Sequence, residues 1–421
     1  MLESDQCSMR KLRITIIGLN YAPEPTGNAP YTSNLAEGLA AAGHSVRVIT
    51  GYPHYPEWRL MDGYTGWSLW EESDGLEIRR LRHHIPKVPS TLNRLHMELS
   101  FGVRAMCANW GKPDVVLFVS PALFSSGLAL LTSRLRRHRP ATAIWVQDIY
   151  SRGMVETGTG GGVATKAVSA LESRILRAAD AVVAIHDRFK FYLTDSMRVP
   201  SQNISVIRNW THLPAVSGPI DRSQVRSSLG WGADEIVVLH AGNMGKKQGL
   251  ENVIDAAKLA SSRGSRVRFV LLGDGNQRPF LEEAATGVGN LQFISPLPGA
   301  AFQQALAAAD ILLVNELPGV KEMAVPSKLT SYFSAGVPVI AATDSGSVTA
   351  TEIASSGGGV RVDAADPAAL LAAAELVGND PSAARELGEK GLKFRHETLS
   401  ETAALAHYDE FITNLASSRG V

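Results

Sequence analysis

Short apolar runs alternate with amphipathic stretches along nearly the whole chain. Arg13-Ile-Thr-Ile-Ile-Gly18 reads as a buried strand, and Tyr31 to Ala42 carries its apolar residues at helical spacing. Gly43-His44 stops that helix, and Ser45-Val-Arg-Val-Ile-Thr50 is the next strand. Further strands are predicted at Asp114 to Val119, Ala143 to Gln147, Ala181 to Ile185 and Ile204 to Ile207. A polar, proline-containing stretch from Thr211 to about Arg226 breaks the pattern, and a domain boundary belongs there. A second series opens at Ile236 to His240. Its strands recur at Val267 to Leu272, Leu291 to Ile294, Ile311 to Val314, Val337 to Ala341 and Gly359 to Val362. Helices fall between them, as at Leu250 to Ser261 and Phe302 to Ala309. Apolar strands separated by helices imply parallel sheets covered on both faces. The expected fold class is therefore α/β, with two doubly wound domains over residues 1–212 and 213–399. They are expected to face each other across a cleft, with a helix in 400–421 crossing back to the first domain. In open sheets of this kind ligands bind beyond the carboxyl ends of the strands.

Composition narrows the class. The 421 residues are long for one domain, and 45% hydrophobic content is ample for two cores. Basic and acidic residues balance at 41 each, so bulk charge points to neither nucleic acid nor an acidic partner. Cys7 and Cys107 form no metal spacing and no disulfide framework, which fits a reducing cytoplasm. Met1 to Ser8 is polar and does not read as a signal peptide. No run approaches the roughly 20 apolar residues of a membrane span. A soluble cytoplasmic protein is expected.

Candidate chemistry sits where strands hand over to helices. Asn20-Tyr-Ala-Pro-Glu-Pro-Thr-Gly-Asn-Ala-Pro-Tyr31 is a stiff, tightly turned loop. It is not a dinucleotide fingerprint: no G-x-G-x-x-G follows the strand, and Gly51-Tyr-Pro-His54 lacks the ribose-binding acid. His240-Ala-Gly-Asn-Met-Gly-Lys-Lys-Gln-Gly-Leu250 leads from a strand through Gly242, Gly245, Lys246 and Lys247 to Gly249 and a helix. Glycines admit phosphate closely and lysines neutralise it, although the spacing is not that of a Walker A loop. Gly158 to Lys166 fails that pattern too and reads as a flexible loop. Leu272-Gly-Asp-Gly-Asn276 is placed to line a nucleobase pocket. Pro326, Ser327 and Lys328 open a helix that Gly336 ends, ahead of a Pro338-Val-Ile strand. A helix start carries partial positive charge and unpaired N–H groups, so it seats phosphate. Ser327 adds a hydroxyl and Lys328 a full charge, and this loop with Gly242 to Gly249 reads as a diphosphate clamp. No D-x-D falls in a βα loop, so a metal bridging the diphosphate is not indicated.

Tyr52-Pro-His-Tyr-Pro-Glu-Trp58, with Tyr64 and Trp67, suits stacking on sugars as well as packing beneath a loop. His54 fits a donor to an acceptor hydroxyl or a satisfied loop histidine. Asp148, just past a strand, fits a catalytic acid or base or a helix cap.

In this order the segments resemble family 4 glycosyltransferases of the two-Rossmann GT-B fold. Within them the chain is most similar to colanic-acid and fucosamine-transferring enzymes of bacterial surface polysaccharide synthesis. The resemblance runs from about Lys11 and rests on Asn20 to Gly27, Gly43 to Thr50, Tyr55-Pro56, Pro89 to Leu92, Val146-Gln-Asp148 and Asn209-Trp210. Ala241-Gly-Asn-Met-Gly245, Gln248 to Ile254 and Val325-Pro-Ser-Lys-Leu329 complete it. It implies a nucleotide-diphosphate sugar bound by the second domain, no cofactor and no metal. A glycan or polyprenyl-linked acceptor would bind the first domain, and the anomeric configuration would be retained. By position, the resemblance puts Gly242, Asn243, Lys246, Lys247, Ser327, Lys328 and Leu329 at the diphosphate and Gly273, Asp274 and Pro296 near the base. Gly27 would approach the donor phosphate, with Asn28, Tyr31, His54, Trp58 and Asp148 on the acceptor side. The family often has two glutamates with seven residues between them, the second holding the ribose. Here those positions are Met323 and Ser331, with Glu322 and Glu316 nearby, so the ribose needs another group. Asn243 and Gln248 replace the glycine-loop Arg and Lys of the wider family.

The expected mechanism has Lys328, Lys247 and the helix ends at Ser327 and Gly249 stabilise the departing nucleoside diphosphate in an oxocarbenium-like transition state. The acceptor hydroxyl would give its proton to a phosphate oxygen or to Asp148. From Pro89 to Trp110, Leu92, Leu95, Leu99, Val103, Met106 and Trp110 recur at helical spacing among Arg94, His96 and Arg104. With the basic run Arg134 to Arg139, this fits peripheral contact with lipid on the cytoplasmic leaflet, though a core-facing helix gives the same pattern. A nucleotide-sugar epimerase on the same architecture is one alternative. A non-catalytic nucleotide-sugar-binding subunit is another, and Ser331 is its best argument.

Overall fold

The computed structural model describes residues 11–25, 27–73, 75–87, 90–156, 162–210, 220–320 and 327–419. The chain divides into two compact units, residues 1–212 with 401–421 and residues 213–400.

The first unit opens with β1 (Arg13–Ile17), α1 (Ala29–Ala41) and β2 (Ser45–Gly51), followed by β3 (Ser68–Ser73) and β4 (Leu76–Leu81). Then come α2 (Thr91–Cys107), β5 (Val115–Val119), α3 (Leu123–Leu135), β6 (Ala141–Val146) and α4 (Tyr150–Glu156). The run closes with α5 (Gly162–Ala178), β7 (Ala181–Ala184), α6 (Asp187–Asp195) and β8 (Ile204–Val206). The sheet order is β3-β4-β2-β1-β5-β6-β7-β8, parallel except for the β3–β4 pair. Every residue of β5 and β6 is buried, as a strand covered on both faces requires. The flexible loop expected over Gly158 to Lys166 is corrected in part. Gly162 to Lys166 form the first turns of α5, a helix that turns Glu172, Ile175 and Leu176 inward. Residues 157–161 lie outside the described residues.

The second unit runs α7 (Arg222–Ser228), β9 (Ile236–Ala241), α8 (Glu251–Arg263), β10 (Val267–Leu272), α9 (Arg278–Ala284) and β11 (Leu291–Ile294). It continues with α10 (Gly299–Ala308), β12 (Ile311–Asn315), α11 (Ser327–Ser334), β13 (Val339–Ala342) and α12 (Val348–Ser356). β14 (Gly359–Val362), α13 (Pro367–Gly378) and α14 (Pro381–Thr398) complete it. The order β11-β10-β9-β12-β13-β14 is parallel throughout. Alternate residues of β9 feed two cores, Val237 and Leu239 on one face and Val238 on the other.

The last helix, α15 (Glu401–Ser418), belongs to the first unit. Its Tyr408 packs 5.2 Å from Trp145 and 6.0 Å from Trp210, ring to ring. Those two indoles stack at 6.2 Å, and Tyr31 meets Trp210 edge-on at 5.6 Å. His44 Nε2 lies 2.6 Å from Asp409 Oδ1, and Asn34 Nδ2 donates to Glu401 Oε1 at 3.1 Å. An aromatic core rimmed by polar contacts thus fixes the C-terminal helix to residues more than a domain away in sequence.

Candidate active site

In the second sheet, strand order reverses between β9 and β12, so the loops after them diverge at a switch point. Three backbone bonds lay the loop after β9 on the loop after β10. Gly242 N–H donates to Leu272 O (2.8 Å), Met244 N–H to Asp274 O (2.8 Å) and Gln277 N–H to Met244 O (3.1 Å). Gly273, at φ +136°, approaches so closely that a Cβ would lie 2.1 Å from Gly242 O. Only glycine permits that contact. Across the switch point, Leu317 N–H donates to Lys247 O at 2.8 Å. The buried Asn315 amide donates to the carbonyls of Gln248 (2.8 Å) and Gly249 (2.9 Å), and accepts from Asn252 Nδ2 (2.8 Å). Stranding one of those buried carbonyls would cost about 1–3 kcal/mol, so the amide pair pins the loop.

α11 returns to the same point. Tyr332 Oη accepts from Ala241 N–H at 2.9 Å, and burial pushes its phenol up. Lys328, in the first turn, brings Nζ to 2.8 Å from Nε2 of His240 on β9. A Cβ on Gly242 would sit 3.3 Å from that Nζ, so Gly242 leaves room for the ammonium. Packing around Nζ, then the charge of Lys247, lowers the Lys328 amine to about 7, while Glu316 opposes the shift. His240 is completely buried. Burial and then Lys328 hold its imidazole well below the ordinary histidine range, with backbone carbonyl groups at Leu313 and Asn243 opposing. Glu316, just past β12, accepts from Thr349 Oγ1 at 2.5 Å and from the Thr343 hydroxyl. Thr343 also lies 2.8 Å from Ser347 Oγ, which caps α12 by accepting from Ala350 N–H.

The remaining donor-side residues are placed unevenly. Asn243, Lys246, Asp274 and Pro296 are exposed, and Lys247 is half-buried. Leu329 is 2% exposed, with its side chain in the core, so its backbone is the part that fits the expected donor contact. Ser327 begins α11, but its side chain, with Pro326, Met323 and Glu322, lies outside the described residues. Sequence reasoning missed His240 as a partner of Lys328, and it missed Asn315 and the Glu316 threonines. The one available signal was polar residues at the ends of otherwise apolar strands.

The first sheet has its switch point between β1 and β5. Asn28 Nδ2 donates to Ser120 O (3.1 Å), and Ser120 Oγ donates to Asp148 O (3.1 Å), which ties together the loops after β1, β5 and β6. The buried Glu24 carboxylate accepts from Asn20 Nδ2 (2.7 Å), His54 N–H (2.8 Å) and Tyr55 N–H (3.0 Å). Gly27 is exposed at φ +69°, and its Cβ position lies 3.9 Å from the Tyr55 ring. Tyr31 and His54, expected on the acceptor side, are buried, and His54 takes the form of the satisfied loop histidine. At 2% and 1% exposure they are core residues, with Tyr31 against Trp210 and His54 Nδ1 3.0 Å from Tyr52 O and 3.3 Å from Glu24. Trp58 is half-buried under the Arg94 guanidinium at 5.1 Å, and Asp148 is half-buried at its strand end. Two buried acids escaped sequence reasoning. Glu98 accepts from Phe124 N–H at 2.9 Å, and burial pushes its carboxyl up to about 8. Glu172 accepts from the N–H groups of Tyr150 (2.8 Å) and Ser151 (3.0 Å), and burial raises it too. Among the described residues, no three His, Cys, Asp or Glu side chains group to hold a metal ion, and no helix is long and apolar enough to cross a membrane.

Two α/β units, the second joining a lysine-bearing helix start to a glycine loop, fit a sugar-transferring class of enzyme. Family comparison agrees: the glycosyl transferase 4-like domain matches residues 26–210, and the glycosyl transferases group 1 domain matches residues 235–380. A protein of Escherichia coli strain K12 described as a colanic acid biosynthesis glycosyl transferase, WcaI, is 33% identical over 338 residues, 77% of this chain and 82% of that protein. The chain belongs to the family 4 glycosyltransferases of GT-B fold. Among solved structures it is similar to the sucrose-phosphate synthase of Thermosynechococcus elongatus, with TM-score 0.73 and 19% identity over 97% of this chain and all of that one. Anabaena HepE in complex with UDP-glucose gives TM-score 0.67 and 14% identity over 97% of this chain and 100% of that one. At these identities the likeness is one of fold.

Proposed function

We propose that this protein is a retaining, metal-independent glycosyltransferase. It moves a sugar from a nucleotide-diphosphate donor to a glycan or lipid-linked acceptor in bacterial surface polysaccharide synthesis. The observation that carries the reading is Lys328 Nζ held beside Gly242 at the switch point of the second sheet. There a cation, a glycine loop and a helix start converge where a diphosphate would sit. The HepE complex with UDP-glucose and the description of WcaI as a colanic acid biosynthesis glycosyl transferase support the proposed donor and pathway classes. Resemblance favours fucose or an N-acetylated deoxyhexosamine as the sugar.

On this reading Lys328 and Lys247 stabilise the leaving diphosphate, which then needs no metal to balance its charge and no further cofactor. The backbone at Gly242, Gly249 and Leu329 approaches the phosphates, and Glu316, fixed by Thr343 and Thr349, is the acid whose charge favours the Lys328 ammonium. Asn28, Trp58 and Asp148 on the first unit serve the acceptor, and Asp148 or a phosphate oxygen takes the hydroxyl proton. The enzyme works at the inner face of the cytoplasmic membrane. In support, Leu92, Leu99 and Val103 on α2 are 77%, 38% and 54% exposed, and Arg104 covers the 73% exposed Trp67 at 4.5 Å. A panel of nucleotide sugars tests the reading by thermal shift and acceptor-free hydrolysis. A matching donor raises Tm and is hydrolysed slowly. If no member of the panel raises Tm, the reading fails, and epimerised sugar released without acceptor would replace it.

A further inference from the structure

We infer that His240 is a positioning residue for Lys328, and that the pair makes capture of a nucleoside diphosphate take up a proton. The inference rests on the donor site proposed above and assigns it a linkage that the phosphate-binding role does not contain.

The argument begins with the 2.8 Å approach of Lys328 Nζ to His240 Nε2. An ammonium has donors and no acceptor, so Nε2 must accept whenever Lys328 is charged, which leaves the ring proton on Nδ1. His240 is 0% exposed, and a second cation beside Lys328 would be costly, so the imidazole stays neutral. It can therefore fix the amine in place without adding charge. Three elements set the charge that Lys328 meets. β9 offers neutral His240, the loop after β9 offers the repelling Lys247, and the end of β12 offers the attracting Glu316. Gly242, against Nζ, offers no side chain, and Tyr332 of α11 is a neutral phenol. The amine is thereby poised at about 7, charged or neutral with little bias at physiological pH.

A diphosphate over Gly242 changes that balance. Its negative oxygens favour the ammonium, so the amine's pKa rises in the complex. Above the free value, binding must then draw a proton from solvent. Affinity falls about tenfold for each pH unit above that value until the pKa of the complex is reached. Removing the His240 acceptor withdraws one stabiliser of the ammonium and moves the profile to lower pH.

Isothermal titration calorimetry of the full chain with UDP, GDP, ADP and dTDP tests this, in buffers of different ionisation heat from about pH 7 to about pH 9, where the nucleotide's own terminal phosphate, of pKa about 6, is already ionised. For a nucleotide that binds, proton uptake rises toward one across this range, and Lys328→Met takes up none. His240→Phe shifts the uptake curve to lower pH and weakens binding near pH 7.5 by about tenfold, the equivalent of one pKa unit. His240→Gln, which keeps an acceptor near the Nε2 position, restores the wild-type curve. Without nucleotide, wild type gains stability over Lys328→Met from about 7 to 10.5, because there the unfolded chain holds a proton that folded Lys328 lacks. Binding without proton uptake overturns the inference and leaves the donor reading standing. A wild-type curve in His240→Phe reduces His240 to packing. If none of the four nucleotides binds at any pH, the donor reading fails and this inference falls with it.

Discussion

Glu98 and Lys328 are driven in opposite directions by one cause, the loss of water around an ionisable group. Burial disfavours the charged form, so the acid rises to about 8 and the amine falls to about 7. Lys328 stands in a helix-opening Pro-Ser-Lys segment and could be picked out from sequence. Glu98 could not, because its burial depends on α2 meeting the start of α3, where it accepts from Phe124 N–H. Its raised pKa has a consequence for stability. Between 4.5 and about 8 the folded chain holds a proton on Glu98 that the unfolded chain has released. Stability is therefore present at low pH and lost as pH rises through that window, by about 1.4 kcal/mol per unit for a fully shifted group. Glu98→Gln should remove this slope. Urea unfolding of both proteins at a series of pH values checks it: the variant gains on wild type as the medium becomes alkaline. Parallel curves would mean that Glu98 is hydrated and titrates normally.

At the scale of elements, the donor-side loops are fixed mainly by each other's backbone. Gly273 is the tightest point, where Gly273→Ala would set a Cβ 2.1 Å from Gly242 O on a backbone at φ +136°. Strain of that kind costs on the order of 1–3 kcal/mol, and here the clash is with backbone that cannot rotate away. The substitution should lower the unfolding midpoint and weaken nucleotide binding together, since the Gly242 loop must lift to make room. Denaturation and a nucleotide titration on one sample check both; unchanged affinity at reduced stability would detach the loop from the site. The buried parallel strands were legible in sequence because they are unbroken apolar runs such as Val115 to Val119. β3 was not: it is an edge strand that reads Ser-Leu-Trp-Glu-Glu-Ser, with Leu69 and Trp70 exposed, and it lacks the apolar face that marks a buried strand. The site divided in the same way. Glycines and lysines show their chemistry in a motif, whereas Glu24, Asn315 and His240 act through partners brought in by the fold. Tyr31 and His54 show the converse, polar aromatics near a loop whose burial in the core no local pattern announces.

At the scale of the whole molecule, two further properties are open to measurement. The first unit exposes Trp67, Leu92 and Val103 beside Arg94 and Arg104, a combination suited to an anionic lipid surface. Flotation with vesicles containing anionic phospholipid should recover the protein at low salt and release it as salt screens the arginines. Recovery with neutral vesicles alone, or none at low salt, would count against that attachment. The second property is the path of the chain, which leaves the first unit at residue 212 and returns at residue 401. The return is secured by Tyr408, 0% exposed between Trp145 and Trp210, with His44 and Asp409 at the rim. Truncating a buried aromatic of this size to alanine costs about 3–5 kcal/mol. Tyr408→Ala should therefore lower the unfolding midpoint of the first unit, although residue 408 lies far from the rest of that unit in sequence. Apart from Gly27, the donor residues belong to the second unit, so nucleotide affinity should stay within about twofold, because sites that share no partners act almost independently. Calorimetric melting with and without nucleotide separates the two effects. Loss of affinity with an unshifted first transition would mean that α15 supports the donor unit instead.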